Sequence, residues 1–228
     1  MLPRRLPAGL VTGTIVLATI AIVSAGCQAV TISGTIVGSG TPATEQRSVG
    51  AFDGLKVGTA IQARVTIGTP ATVRVTADDN LLGHVNTTVS AGTLEVAFGP
   101  GSVSTRTPVV VEITAPSLTS IEAGSAAAVA VAGLSAGDLR VHADSAGRIS
   151  ASGSATSLSL TGDSGASVDL SNLGARTAQV DLASAAAAQV KAAERVSGSV
   201  KEGASLVLIG VPSTVEVSSQ TGGSVSYR

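Results

Sequence analysis

The 228-residue sequence predicts an all-β protein whose C-terminal part is a parallel β-helix, a solenoid of stacked coils. Six segments between Ile121 and Tyr227 repeat one another every 18 to 20 residues, and self-similarity at such a period is typical of stacked repeats. Hydrophobic residues make up 44% of the chain but aromatic residues only 1%. Small aliphatic side chains suit the narrow interior of a solenoid, whereas a broad globular core gains most of its buried area from large side chains.

The N-terminus has the features of an export signal. Arg4 and Arg5 form a positive region, an apolar stretch from Ala8 to Val23 follows, and three small residues precede Cys27. Small residues before a lone cysteine resemble the lipobox of bacterial lipoproteins, which implies cleavage before Cys27 and lipidation of its thiol. We therefore predict a lipoprotein signal peptide over residues 1–26. Cys27 is the only cysteine, so no disulfide can form within the chain.

An uncleaved transmembrane anchor is the alternative interpretation of the N-terminus. The stretch from Ala8 to Gly26 is just long enough to span a bilayer. Both interpretations place the body of the protein outside the cytoplasm, at the cell membrane. In the lipoprotein interpretation, the lipid on Cys27 is the contact with the membrane.

The segment that follows Cys27 is rich in Thr, Ser and Gly, which predicts a flexible tether over residues 27–46 and a folded domain over residues 47–228. Between residues 49 and 114, alternating apolar and polar residues predict strands that extend or cap the solenoid. The strand candidates are Ile61–Ile67, Val73–Val75, Thr93–Phe98 and Val109–Ile113. Asp78-Asp79-Asn80 predicts a capped turn or short helix beginning at Leu81, rather than a calcium loop, which needs more carboxylates at alternating spacing.

Equivalent positions of the six repeats predict columns of aliphatic side chains inside the solenoid, because stacked strands lie about 4.8 Å apart and pair with the coils above and below. The predicted columns are Ile121, Val141, Leu160, Val180, Gly198 and Val217; Val129, Ile149, Val168, Ala188, Leu206 and Val225; and Val131, Ala151, Leu170, Val190, Leu208 and Tyr227. Gly198 leaves a gap that a local shift of register would fill with Val200. The helix-prone run Ala185–Ala188 is expected to follow the register of the coils instead of its own propensity.

Three segments and four corners carry a resemblance to a known family. The segments are Phe52-Asp-Gly-Leu-Lys-Val57, Leu94-Glu-Val96 and Val111-Glu-Ile-Thr-Ala-Pro-Ser-Leu118, and the corners are Gly124-Ser-Ala-Ala, Asp144-Ser-Ala-Gly, Asp163-Ser-Gly-Ala and Gln220-Thr-Gly-Gly. In this order they resemble the auto-transporter adhesin head GIN domain family, over about Val49 to Tyr227. The resemblance implies a right-handed parallel β-helix on exported, often lipid-anchored bacterial proteins. It implies no known reaction and supplies no catalytic residues.

Composition and motifs exclude several classes of function. Charged residues make up 13% of the chain, the net charge is −1, and no basic patch is interleaved with aromatic residues, which argues against nucleic-acid binding. Phe52, Phe98 and Tyr227 are the only rings, and sugar binding usually relies on rings that stack on the sugar, so extended glycan binding is not expected. The only histidines are His84 and His142, and neither belongs to a catalytic or cofactor motif. We predict no catalytic residue and no cofactor.

One pair of carboxylates is a candidate metal site. Asp144 and Asp163 occupy the same register in neighbouring coils, where like charges repel each other. Solvent exposure at a corner, Arg148 or a bound cation could relieve that repulsion, and exposure is the favoured explanation.

The sequence favours a lipid-anchored surface or scaffold protein that acts as an adhesin-like binding module without catalysis. Its partner is an unidentified protein or a second copy, since the last coil near Val225–Tyr227 would leave strand edges unpaired. The alternative is a carbohydrate-active β-helix enzyme, a metal-assisted polysaccharide lyase or hydrolase using Asp144 and Asp163. A partner in envelope stress or signalling is a third hypothesis that the sequence itself does not address.

Overall fold

Each repeat forms one coil of a solenoid, and equivalent strands of successive coils pair in parallel. This is the fold of the computed structural model, which describes residues 34–228. The predicted signal peptide and Cys27 lie outside the described residues. The all-β solenoid that the sequence predicts is confirmed. No helix among residues 34–228 is long and apolar enough to cross a membrane.

The regular elements are seventeen strands and one short 3₁₀ helix at Asp79–His84. In chain order the strands are β1 (Ile36–Val37), β2 (Pro42–Arg47), β3 (Gly54–Val57), β4 (Gln62–Ile67), β5 (Thr72–Asp78), β6 (Val85–Ser90), β7 (Thr93–Phe98), β8 (Val103–Ser104), β9 (Val110–Ala115), β10 (Ser120–Ala123), β11 (Ala128–Ala143), β12 (Arg148–Gly162), β13 (Ser167–Leu182), β14 (Ala187–Val200), β15 (Ser205–Leu208), β16 (Thr214–Ser219) and β17 (Ser224–Tyr227). The four predicted strands between residues 49 and 114 are confirmed as β4, β5, β7 and β9. β14 begins within the helix-prone run, so the register of the coils overrides local propensity there.

The coils present two long faces. Face A consists of β3, β7, β10, β16 and the C-terminal parts of β11 to β14, all in parallel register. Face B consists of β4, β9, β15, β17 and the N-terminal parts of β11 to β14. Short middle segments of the long strands, such as residues 134–136 and 153–155, connect face B to face A and also stack. Two antiparallel strands, β5 and β2, extend face B to ten strands. At about 4.8 Å between neighbouring strands, the stack is about 43 Å long.

The three predicted columns form the interior. In the first two columns every neighbouring pair is in register. The third column is in register except between Ala151 and Leu170, where the pairing of β12 with β13 is irregular. Val141, Leu160 and Val180 are each at most 1% exposed. The columns therefore bury aliphatic side chains from coil to coil, which removes apolar surface from water along the repeats up to the last coil.

The expectation about Gly198 was wrong. Gly198 stays in register with Val180, and Val200 pairs with Leu182 in the next column, so no shift brings Val200 into the gap. A Cβ at position 198 would lie 2.0 Å from the carbonyl oxygen of Val180. The backbone of Gly198 also has φ +131°. Glycine is needed here because the two backbones approach closely in a conformation that L side chains rarely adopt.

A two-residue turn joins face A to face B in every coil except the one made of β7 and β9, where residues 99–109 form the connection. Both central residues have positive φ, as type I′ turns require. The central pairs are Thr59–Ala60, Ser125–Ala126, Ser145–Ala146, Ser164–Gly165, Ser184–Ala185, Glu202–Gly203 and Thr221–Gly222. Neighbouring turns also bond to one another: the backbone N–H of Ala126 donates to the carbonyl of Ser145 at 2.9 Å, and that of Ala146 to Ser164 at 3.0 Å. The hydrogen-bonded ladder therefore continues around the corner between the two faces.

The N-terminal end is built out of chain order. On face A, β3 lies between β7 and β10, and on face B, β4 lies between β9 and β11. The coil made of β7 and β9 thus stacks outside the coil that precedes it in sequence. Antiparallel strands then close this end, β6 on face A and β5 followed by β2 on face B. The strands before the repeats therefore both extend and cap the solenoid, as predicted.

The predicted tether needs correction. β1 pairs with β8, and β2 pairs with β5, so residues 36–46 belong to the folded body. Residues 33–228 form one compact unit with its own core. The Thr, Ser and Gly content of this stretch is that of an edge segment with turns, which composition does not separate from a flexible linker.

Candidate functional site

The two carboxylates predicted as a metal pair lie at equivalent positions of adjacent coils. Ala143 pairs with Gly162, and Asp144 and Asp163 follow these residues directly. They line different depressions, however. Asp144 lies in one of about 190 Å³ with Lys56, and Asp163 in one of about 310 Å³ on the C-terminal side.

Each of these carboxylates has its own local partner. The Asp144 Oδ2 atom lies 3.6 Å from Nε2 of His142, and the Asp144 side chain is 45% exposed. The backbone N–H of Ser164 donates to Asp163 Oδ1 at 2.6 Å. The Ser184 hydroxyl and the Ser164 N–H lower the pKa of Asp163 below its usual range, although its partial burial acts in the opposite direction. Arg148, the other candidate partner, pairs with neither carboxylate.

Among the described residues, no three His, Cys, Asp or Glu side chains lie close enough together to hold a metal ion. His142 contacts Asp144 at the turn, and His84 ends the 3₁₀ helix. The structure thus separates the two histidines and adds no further acidic ligand to the predicted pair. Metal binding by Asp144 and Asp163 stays a prediction.

Asp78 has a structural role that the sequence did not reveal. It is the one buried polar residue among residues 34–228. Its carboxylate accepts hydrogen bonds from the backbone N–H groups of Gly40 and Arg106, each at 2.9 Å, and from the N–H and hydroxyl of Thr107. Burial alone would raise the pKa of Asp78, but these donors together lower it below its usual range. Asp78 therefore ties β5 to the segment before β2 and to the loop before β9.

The outer surface of face B carries a row of polar side chains across six strands. Their register runs from Arg74 on β5 through Glu112 on β9, Arg64 on β4 and Ala130 on β11 to Ser150 on β12 and Asp169 on β13. All six of these residues are exposed. A second row places Arg148 beside Ala128, two residues away from Ser150. Because side chains alternate across a strand, every member of both rows points away from the core.

Three neighbouring depressions on face B share Arg64 in their linings. Their volumes are about 460, 330 and 340 Å³. The first lies around Arg74 and Glu112, and the other two lie over β11 and reach Asp169. We call this surface the face B groove, lined by Arg64, Arg74, Glu112, Ala128, Ala130, Arg148, Ser150 and Asp169.

The groove is positively charged on an acidic body. Its charged residues are three arginines, Glu112 and Asp169, which give +1 formally. Residues 34–228 hold 12 basic and 15 acidic side chains, a net charge of −3. The backbone N–H and hydroxyl of Ser171 donate to the Asp169 carboxylate at 3.0 and 2.6 Å, and these donors lower its pKa. Asp169 is thereby hydrogen-bonded within its own strand, β13.

Sequence reasoning identified no binding residue, and the groove shows why. The column of Val129, Ile149 and Val168 already implied that Ala130, Ser150 and Asp169 lie side by side outside it. Arg64 and Arg74 join this row only because β4 and the antiparallel β5 stack at the capped end. Their alternating strand patterns show that both arginines face outward, but those patterns do not show which strands are neighbours.

Comparisons with known proteins agree with this architecture. The family described as "Putative auto-transporter adhesin, head GIN domain" matches residues 51–212. None of the curated proteins matches the chain.

Several solved structures share the fold. An adhesin described as putative, from Bacteroides fragilis NCTC 9343, is 18% identical with a TM-score of 0.68, over 85% of this chain and 100% of that one. A "putative adhesin" from Parabacteroides merdae ATCC 43184 is 15% identical with a TM-score of 0.62, over 85% of this chain and 99% of that one. A "putative lipid binding protein" from Parabacteroides distasonis ATCC 8503 is 16% identical with a TM-score of 0.58, over 86% and 100%. The family match spans most of the solenoid, and the resemblance found in the sequence is confirmed: the chain belongs to the auto-transporter adhesin head GIN domain family.

Proposed function

We propose that the protein is a lipid-anchored module of the bacterial cell surface that binds a partner through face B and catalyses no reaction. The observation that carries this proposal is the face B groove, three depressions that share Arg64 on a scaffold whose columns hold the strands in register. A stacked sheet offers many side chains at fixed spacing and little motion, which suits binding. Membership of a family described as adhesins supports the same conclusion.

Binding is tested on intact cells with the compact unit, residues 33–228, carrying a fluorescent label. Ala130→Glu places a carboxylate beside Arg64 and fills the groove floor, so we expect this variant to lose cell binding. Ser159→Glu is the matched control, because Ser159 is exposed on face A and pairs with Arg140 as Ala130 pairs with Arg64. Equal binding by both variants would show that face B is not the binding surface.

Lipid anchoring at Cys27 supports the surface location and has its own test. Full-length protein is expressed with an alkyne-bearing fatty acid and the cells are fractionated. We expect the wild type to carry the label and to sediment with membranes, and Cys27→Ser to lose the label. A wild type that sediments without label would instead support the uncleaved transmembrane anchor.

Self-association through the C-terminal end is a second proposal, and the last coil favours it. Val217 and Val225 end two interior columns and are only partly buried, and Tyr227 is 59% exposed. β16 and β17 each pair with one strand among the described residues, which leaves backbone groups at their outer edges. Two copies could pair these edges across a two-fold axis. Sedimentation over a concentration series should show a dimer that Val217→Lys abolishes and the outward control Ser218→Lys keeps.

No specific observation favours the carbohydrate-active enzyme, because Asp144 and Asp163 line separate depressions. Its metal-assisted form still makes a clear prediction. If a bound cation joined the two carboxylates, a chelator would lower the melting temperature, and Asp163→Asn would abolish that effect. We expect the melting temperature to be the same with and without chelator.

A further inference from the structure

We propose that the face B groove binds an acidic polysaccharide, a linear sugar polymer that carries carboxylate or sulfate groups at regular intervals. The inference rests on the proposed function, since it names the class of partner for the same face.

The first argument is the spacing of the arginines. Along the stack of face B, Arg74 lies on β5, Arg64 on β4 and Arg148 on β12, with one strand between each pair. Two strand spacings amount to about 9.6 Å. A guanidinium therefore recurs every second strand along the stack, with Arg148 set two residues along its strand from the row that holds Arg64 and Arg74. A polymer with an anionic group on every second sugar would meet these side chains in turn.

The second argument is that the guanidinium groups are available. None of the three arginines takes part in a salt bridge within residues 34–228. Glu112 lies between Arg64 and Arg74 in register but is in ion-pair contact with neither. The Asp169 carboxylate is held by Ser171. Arginine is suited to carboxylate and sulfate because its planar group can donate two parallel hydrogen bonds to one anion.

The third argument is the low floor of the groove. Ala128 and Ala130 lie between the taller side chains of Arg64 on one side and Arg148 on the other. Short side chains let the polymer backbone approach the sheet while its charged groups reach the arginines on both sides.

The groove lining contains no aromatic residue, so recognition depends on charge and not on ring stacking. The proposal departs from the expectation against extended glycan binding, which rested on the scarcity of rings, because an acidic polymer can be held by its charges. The same feature disfavours single-stranded nucleic acid, which proteins hold largely by stacking bases on aromatic side chains. A duplex also carries a phosphate about every 3.4 Å along each strand, much closer than the arginines are spaced.

The test titrates the compact unit with four polymers: hyaluronan, chondroitin sulfate, uncharged dextran and a single-stranded oligonucleotide. We expect binding to one or both acidic polysaccharides, no binding to dextran, and weaker binding at high salt because mobile ions screen the charges. If the compact unit binds neither hyaluronan nor chondroitin sulfate, the inference is overturned. Tighter binding of the oligonucleotide would also overturn it, in favour of a nucleic acid.

Variants locate the binding to the groove. Arg64→Gln and Arg148→Gln should each weaken binding about tenfold or more, since each removes a charge-assisted contact. Arg140→Gln removes the same charge from face A, where Arg140 is also exposed and outside any salt bridge within the described residues. An equal loss in this control would overturn the assignment to the groove. Thermal unfolding checks that each variant folds.

A second pair of variants leaves every arginine in place. Ala130→Glu should abolish binding, whereas Ala130→Gln, of the same size but uncharged, should keep most of it. Equal loss of binding in both variants would indicate that the size of the side chain, and not its charge, blocks the groove. That result would overturn the proposal of an anionic ligand. If the wild type binds intact cells but neither acidic polymer, this inference fails and the proposed function stands. If the wild type does not bind cells, the proposed function itself fails.

Discussion

The two ends of the solenoid are finished in different ways. At the N-terminal end, β2, β5 and β6 add antiparallel strands to both faces, and the outermost of them, β2, begins with Pro42 and carries Glu45 and Arg47. Proline and charges on an edge strand discourage further pairing. At the C-terminal end of the described residues, β16 and β17 each pair with one strand only, and no antiparallel strand is added to them. A repeat can extend a stack but cannot end it, because its own edge offers the same pairing groups as every coil before it.

The capped end also depends on contacts between distant parts of the chain, whereas the coils depend on contacts between neighbours. Asp78 joins Gly40 and Thr107, which lie 38 and 29 residues away in sequence. In the repeats, partners are one coil apart, and loss of one contact leaves the rest of the column in place. A change at the capped end should therefore have the largest effect on stability, and one in the last coil the smallest.

Asp78→Ala should cause the largest loss. The substitution leaves the N–H groups of Gly40, Arg106 and Thr107 buried without an acceptor, and unsatisfied buried donors are costly. We expect the melting temperature to fall on the order of 10 °C. Asp138→Ala is the control, since Asp138 is exposed on β11, away from the capped end, and should change the melting temperature little. Similar losses for both would mean that Asp78 does not anchor the cap.

The acid dependence of stability should distinguish the charge of Asp78 from its shape. Its pKa is lowered in the folded state, so its contribution is fully present above the unfolded-state value of about 4 and is lost as pH falls through the folded pKa. Asp78→Asn keeps the shape and removes the charge. The gap in unfolding free energy between wild type and this variant should be constant from neutral pH down to about pH 4 and shrink below it. Asp163 and Asp169, also lowered, cancel because both proteins contain them. A gap that stays constant into strong acid would contradict this role.

One column allows the same truncation to be made in the middle and at the open end. Val180→Ala should cost about 2 kcal/mol, because Val180 is fully buried and its loss leaves a cavity. Val217 lies two coils further along the same column and is only partly buried. Val217→Ala should cost about half as much as Val180→Ala, or less. Urea unfolding measures both, and equal costs would show that another part of the molecule covers the open end.

The contrast between the repeats and the capped end also holds for prediction: the repeats could be predicted from the sequence, and the capped end could not. The periodic apolar positions predicted the columns, because each repeat meets only its neighbours and the period alone sets their register. The same alignment located Asp144 and Asp163 at one corner. It also implied the C-terminal half of the groove, where Ala130 and Ser150 are adjacent.

The capped end could not be predicted in the same way. The placement of β3 between β7 and β10 is a choice among long-range pairings that alternation does not distinguish. The Thr, Ser and Gly content that predicts a tether over residues 27–46 hides most of β2, and the sequence predicts no strand at β6. Arg64 and Arg74 were visible on alternating strands, but their meeting with Ala130 depends on this placement. The candidate site therefore emerged only where repeats and cap join.

The turns provide the finest comparison between the middle and the open end. Gly165 and Gly222 hold the same turn position in different coils, with φ of +72° and +78°. No atom lies within 4 Å of a Cβ built at Gly165, and at Gly222 the contacts are ordinary ones. Gly165→Ala should therefore cost about 1 kcal/mol through backbone conformation alone. Gly222→Ala should cost less, because the last coil can fray before the molecule unfolds.

Ala185→Gly is the reverse change at the same turn position, where alanine has φ +62°. It should stabilise the protein by less than Gly165→Ala destabilises it, because glycine also gains freedom in the unfolded chain. Urea unfolding of the three variants measures these effects. If Gly222→Ala cost as much as Gly165→Ala, the last coil would unfold with the body and not before it. The open end would then be as firmly held as the middle, and its exposed column ends would be a rigid surface ready to pair with a second copy.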